Sequence, residues 1–263
     1  MIRRILAALA VALAPAVAHG DDLHLVEPGK LTWGSSPTFV PFEFMVDGKA
    51  KGFDIDLMDE LSKRIGLVST MMGMEFKGVI PALLGSRIDA GVSGLYVTAE
   101  RLQVADFIPY VIVGNQIAVR KGNPHHITGR NGLCGFKVAV PVSTAFEASA
   151  KQLSAECKAN GKPEIELLSL PGSNFVALAL QQGRVDAALN STATIAAMMS
   201  ETPDAYELAG EPFDANTKVG IALRKDSTAL KTQLEGAVQG IVKDGTYTGL
   251  LKKWNLPPQS SAF

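Results

Sequence analysis

The phrase GSRIDAGVSG at Gly85–Gly94 returns as QGRVDAALNS at Gln182–Ser191. Arg87 aligns with Arg184, and Asp89 with Asp186. Each copy follows an apolar stretch of helical spacing, Val79–Leu84 and Phe175–Leu180. Each then passes through a glycine-containing turn into a short apolar run and ends in small polar residues. That order reads as helix, turn and buried strand with a polar carboxyl end. A chain built on two such units is an α/β protein, and ligands of open α/β sheets sit outside the carboxyl ends of the strands. The two phrases therefore place Ser93 and Gly94 on one wall of a cleft and Asn190 and Ser191 on the other.

The remaining segments keep the same alternation. Strands are expected at Leu31–Ser36, Asp89–Val92 and Gln116–Gly122, and helices over Gly52–Gly66, Phe76–Ser86 and from Thr98 onward. From about residue 135 the pattern restarts. FKVAVPVS, EIELLSL and VDAALNS read as strands, with helices between and after them. KVGIALRKD (Lys218–Asp226) echoes QIAVRKG (Gln116–Gly122). Two helices close the chain, Ser227–Lys243 and Thr246–Trp254. The expectation is two α/β lobes of similar plan, each with a parallel-rich sheet flanked by helices, and a ligand cleft between them.

The first residues belong to a different pattern. Arg3 and Arg4 precede an apolar run from Ile5 to Val17, and Ala16–Ala18 supplies small residues for cleavage. Residues 1–18 read as a secretory signal peptide, too short to span a bilayer comfortably. No cysteine stands near the cleavage point, so no lipid anchor is expected. The chain carries 25 Lys+Arg against 26 Asp+Glu. Losing the leader removes two arginines and leaves a weakly acidic surface, the wrong sign for nucleic acid or an anionic membrane. In an oxidising compartment the two cysteines, Cys134 and Cys157, are expected to form a disulfide.

Five longer phrases resemble one family: FVPFEF (Phe39–Phe44), GKAKGFDIDLMDELSKRIGL (Gly48–Leu67), FKGVIPALLGSRIDAGVSGLYVTAERLQVADF (Phe76–Phe107), QQGRVDAAL (Gln181–Leu189) and DGTYTGLLKKWNL (Asp244–Leu256). Together they are similar to the periplasmic polar amino-acid-binding proteins of ABC importers, over about residues 31–255. The resemblance implies a two-lobed clamp with a two-segment hinge near Ile112–Gln116 and Asp214–Val219. Lobe 1 is then 21–112 with 219–263, and lobe 2 is 113–218. It implies a monomeric periplasmic binding protein that hands an amino acid or related carboxylate to an inner-membrane permease, with no cofactor and no metal.

Residue by residue, the resemblance gives Arg101 the ligand's α-carboxylate, a task suited to its planar fork. Backbone N–H groups at Tyr96, Thr144 and Ala145 complete that subsite. Phe39 and Phe76 flank the ligand side chain, and Ser36 stands where some basic-amino-acid binders carry an acid. The ammonium half departs from the family. Ser191 replaces the usual aspartate, and Tyr96 the usual Ser or Thr. A buried cation needs a counter-charge, so either Glu43 or Glu147 supplies it or the ligand lacks a simple primary ammonium. In the latter case Phe39, Phe76, Tyr96 and Phe146 form an aromatic box. A second reading stays open, a cyclohexadienyl dehydratase on the same fold, with Glu147 as proton donor.

Overall fold

The computed structural model describes residues 23–263; the expected signal peptide lies outside them. The first strand, β1 (Lys30–Ser35), is followed by a small antiparallel sheet of β2 (Thr38–Phe39), β3 (Glu43–Val46) and β4 (Lys49–Lys51). Asp47 and Gly48 both take positive φ between β3 and β4, the geometry of a tight two-residue hairpin. Helix α1 (Phe53–Arg64) buries Phe53, Leu57, Met58 and Leu61 at helical spacing and carries Asp54 and Asp56 in its first turn. β5 (Val68–Gly73), α2 (Val79–Leu84), β6 (Ala90–Gly91) and α3 (Ala99–Val104) follow.

Next comes β7 (Asp106–Arg120), a strand of 15 residues. It begins in one half of the molecule and ends in the other. The second half holds β8 (Lys137–Pro141), α4 (Ala145–Ala159), β9 (Glu166–Leu170), α5 (Ser173–Gln181), β10 (Ala187–Ser191), α6 (Thr192–Glu201) and β11 (Tyr206–Leu208). β12 (Phe213–Leu223) then returns to the first half, where α7 (Thr228–Lys243) and α8 (Thr246–Lys253) pack against α1. Among the described residues no helix is long and apolar enough to cross a membrane.

The main sheet runs β5-β1-β6-β12-β7-β10-β8-β9, with β11 also on β7. β1 lies parallel to β5 and β6, and β8 parallel to β9 and β10. The expected two parallel-rich sheets are thus present, and they are continuous through β7 and β12. Those two long strands pair antiparallel, with a break in register between Phe213 and Thr217, where Asp214 takes φ 50°. The break falls where the chain passes between the halves.

The repeated phrase has the same local job in both copies. After each helix one residue turns left-handed, Ser86 (φ 52°) and Gly183 (φ 70°). The next N–H closes the turn: Arg87 N–H donates to the Ala82 carbonyl and Arg184 N–H to Ala179, each at 2.9 Å. The aspartate then pins the first strand of its lobe. Asp89 accepts from Thr32 N–H of β1 and from Val26 N–H, both at 2.8 Å, and Asp186 accepts from Lys137 N–H of β8 at 2.9 Å. Cys134 and Cys157 are disulfide-bonded with Cα atoms 5.6 Å apart, tying the approach to β8 to the last turn of α4. A loop of that length is stabilised by roughly 3 kcal/mol when closed.

Candidate functional site

A cavity of about 30 Å³ lies between the halves. The first half contributes Ser36, Thr38, Phe39, Glu43, Phe76, Ser93, Gly94, Tyr96 and Arg101. The second contributes Pro141, Val142, Thr144, Ala145 and Phe146 at the start of α4, and Pro171, Gly172 and Ser173 at the start of α5. Two helix N-termini therefore open on one side of it, each with unpaired N–H groups that favour an anion.

Arg101 is the sole cation among the lining residues. Thr98 caps α3 by accepting from the Arg101 backbone N–H at 3.2 Å, which fixes where the side chain starts. Nη1 donates to the Tyr96 carbonyl at 2.8 Å, and the guanidinium lies over the Phe76 ring at 5.5 Å. No carboxylate pairs with it among the described residues. Burial holds its pKa below the ordinary arginine value. A largely desolvated guanidinium with free donors is a site for an anion.

The aromatic residues meet across the cavity. Phe146, from α4, stands edge-on to Tyr96 at 5.1 Å and tilted to Phe39 at 6.4 Å. Phe39 in turn stacks on Phe42 at 5.1 Å. Gly94 permits this arrangement, since a Cβ there would lie 2.5 Å from the Phe39 ring. The Tyr96 hydroxyl is buried without a partner. Burial pushes its pKa well up, so it stays a neutral phenol.

Glu43 supplies the opposite charge. It is fully buried at the cavity wall. Its Oε1 accepts from the Ser93 hydroxyl at 2.9 Å, and Ser93 Oγ accepts from Ser36 N–H at 2.9 Å. Behind it lies Asp54, whose Oδ2 accepts from the Tyr110 hydroxyl at 2.8 Å and from Gly94 N–H at 3.3 Å. Burial raises both carboxyls, Asp54 to about 6 and Glu43, beside the Asp54 charge, well above its ordinary value.

Ten of the twelve residues expected at a ligand site line this cavity: Ser36, Phe39, Phe76, Ser93, Gly94, Tyr96, Arg101, Thr144, Ala145 and Phe146. Asn190 and Ser191 do not. Ser191 is fully buried as the N-cap of α6; its Oγ accepts from Thr194 N–H at 3.0 Å and donates to Thr194 Oγ1 at 2.9 Å. Asn190 Oδ1 accepts from Ser191 N–H at 2.9 Å within the same turn. The Ser191 hydroxyl is thus consumed in starting a helix, while Asn190 Nδ2 stays buried without a partner. Glu147 does not line the cavity either. It accepts from Ser143 N–H at 2.7 Å and Ser169 Oγ at 2.8 Å and pairs with Lys151 at 3.0 Å. Burial raises its pKa, but those contacts outweigh burial and hold it below the ordinary value. Thr38 and the Pro171–Ser173 turn were not expected. The signal for that turn was its Pro-Gly-Ser punctuation ahead of a second helix; Thr38 had none.

Comparison with known proteins places this geometry. The family described as bacterial extracellular solute-binding proteins, family 3, matches residues 31–257. The L-cystine-binding protein TcyJ of Escherichia coli is 30% identical over 230 residues, covering 87% of this chain and 83% of that protein. The arginine-binding protein ArgT of Corynebacterium glutamicum is 31% identical over 235 residues, covering 88% and 76%. Among solved structures, an ancestral arginine-binding protein bound to arginine superposes with TM-score 0.79 at 34% identity, over 86% of this chain and 98% of that one. The same kind of ancestral protein bound to glutamine gives 0.79 at 32%, over 88% and 100%.

Proposed function

The chain belongs to the bacterial extracellular solute-binding proteins, family 3, and from that membership we propose that it captures an amino acid or amino-acid derivative between its lobes and delivers it to an inner-membrane ABC permease. It does so as a periplasmic monomer released from a signal peptide. Lobe 1 comprises 21–112 with 219–263 and lobe 2 comprises 113–218, hinged where β7 and β12 cross.

One observation carries the reading: a desolvated Arg101 without an anionic partner faces two helix N-termini across a cavity walled by aromatic rings. The ligand carboxylate bridges Arg101 and the backbone N–H groups of Thr144 and Ala145. Its stem packs against Phe39, Phe76 and Phe146 once the lobes part to admit it, since these rings close on a space of about 30 Å³, room for roughly one water. A cationic group at the distal end of that stem lies toward Glu43. That polarity suits a zwitterion and is the reason for preferring an amino acid over a purely anionic solute. Glu147, the proton donor that the dehydratase reading names, is an ionised helix-start residue held by three partners and away from the cavity.

A thermal-shift screen over amino acids and N-substituted relatives, with native mass spectrometry of the purified protein, tests this. At least one zwitterionic carboxylate raises the melting temperature or co-purifies. Arg101→Ala lowers affinity for it by about 2–5 kcal/mol, the scale for removing one partner of a desolvated charge pair. Wild-type affinity in that variant, read by calorimetry, removes the carboxylate assignment. Turnover of prephenate or arogenate removes the binding-protein reading.

A further inference from the structure

Glu43 and Asp54 each keep one carboxyl oxygen, Oε2 and Oδ1, that is buried and receives no hydrogen bond from any donor in the described structure. The two carboxyls are held side by side: adjacent residues bind them, Ser93 on Glu43 and Gly94 on Asp54, and Asp54 N–H donates to the carbonyl of Phe42, next to Glu43, at 2.9 Å. Neither oxygen can satisfy the other if both groups are ionised, since a carboxylate is an acceptor only. One proton between them satisfies both. Like charges this close do not both ionise readily in a desolvated site.

The surroundings say which group holds the proton. Asp54 sits in the first turn of α1, where the helix N-terminus favours negative charge. It already accepts from Tyr110 and Gly94. Glu43 has only the Ser93 hydroxyl, which as a rotor serves a carboxyl in either state. The other ionisable groups facing the pair are Tyr110, behind Asp54, and Arg101 and Tyr96 across the cavity. Tyr247, behind Tyr110, donates to the Tyr110 carbonyl and not to the pair. No lysine or histidine lines the cavity.

We propose that the Glu43–Asp54 pair holds a single shared proton in the ligand-free protein and releases it when the cationic nitrogen of a solute reaches the Glu43 end of the cavity, so that cation capture is proton-coupled. This rests on the amino-acid reading above and adds to it a selectivity rule. On binding, the Glu43 O–H bond breaks, the proton passes to water or buffer, and the solute's N–H⁺ donates to the Glu43 carboxylate in its place. A solute whose distal end is neutral leaves the proton where it is. Raising the pH toward deprotonation of the pair strengthens cation binding and leaves neutral binding unchanged.

Infrared spectroscopy of ligand-free protein tests the pair without reference to any ligand. The C=O stretch of a protonated carboxyl, separate from carboxylate bands, is expected at neutral pH in wild type and absent in Glu43→Gln. Its absence from wild type overturns the proposal, and that reading needs no variant to fold. The coupling is tested with L-arginine as the cationic probe and L-glutamine as the neutral one. L-arginine is expected to bleach the band and, by calorimetry in buffers of different ionisation enthalpy, to release roughly one proton, with affinity rising up to tenfold per pH unit. L-glutamine is expected to do neither. Arginine binding without proton release, or glutamine binding where arginine does not, overturns the coupling. If no amino acid binds at all, the functional reading fails, while the ligand-free band still decides the shared proton.

Discussion

Arg101 and Ser191 show how far a residue's type determines its work. Both stand at positions where the family resemblance assigns ligand contact. Arg101 reaches the cavity because a short capped helix aims it there, and its donors find no anion of the protein's own. Ser191 is turned inward by the start of α6 and spends its hydroxyl on Thr194. Ser191→Ala therefore loses a cap, worth about 1 kcal/mol of stability, and leaves ligand affinity as it was. Urea titration beside calorimetry separates the two effects; a large loss of affinity at wild-type stability would return Ser191 to the site. Arg101 was legible because guanidinium, motif and chemistry agree. Glu43 was legible only as a candidate, since an acid between Phe42 and Phe44 does not by itself disclose that a second acid, Asp54, lies beside it.

At the scale of elements, α1 is placed so that its first turn closes over the Glu43 wall, and this has a pH signature. Burial lifts Asp54 from its ordinary 3.8 to about 6. Between those values the folded protein holds a proton that the unfolded chain has released. Stability from this group therefore falls as pH rises through that window and stays lower above it. Glu43, also raised, acts in the same direction. The difference in unfolding free energy between Asp54→Asn and wild type is expected to shift toward the variant from pH 4 to pH 7, by roughly 2 kcal/mol. Chemical denaturation at the two pH values measures it; a shift toward wild type contradicts the burial argument. The elements missed by periodicity have physical explanations. β2, β3 and β4 are two to four residues long, too short for alternation to register, although Asp47-Gly48 carried the hairpin signal. β7 was read only from Gln116 because Pro109 interrupts it; the sheet accommodates that proline at a shift in register between Val219 and Gly220. The helix–turn–strand repeat was the clearest part of the sequence, because the same aspartate pins the first strand in each lobe.

For the whole molecule, the decisive contacts are those made only when the lobes meet. Phe146 on α4 reaches Phe39 and Tyr96, and the turn before α5 reaches β2. Gly172 sits at that second contact with φ −166°, an extended conformation open to any residue. A Cβ there would nonetheless stand 2.5 Å from Thr38 Oγ1 and 2.8 Å from Thr38 Cβ, across the cleft. A side chain at 172 thus has no backbone penalty, meets the rotatable Asn174 side chain of its own lobe at 3.0 Å, and collides more closely with Thr38 across the cleft. If ligand capture requires this closed arrangement, Gly172→Val is expected to leave the unliganded melting temperature nearly unchanged. It weakens binding of whichever amino acid stabilises the wild type by about 1–3 kcal/mol, the usual cost of overpacking a fitted contact. Small-angle scattering then shows less compaction on adding that amino acid to the variant than to the wild type. Unaltered affinity and full compaction in Gly172→Val would mean that the lobes bind without meeting at Thr38, and that the cavity wall formed by Pro171, Gly172 and Ser173 belongs to some other state of the clamp.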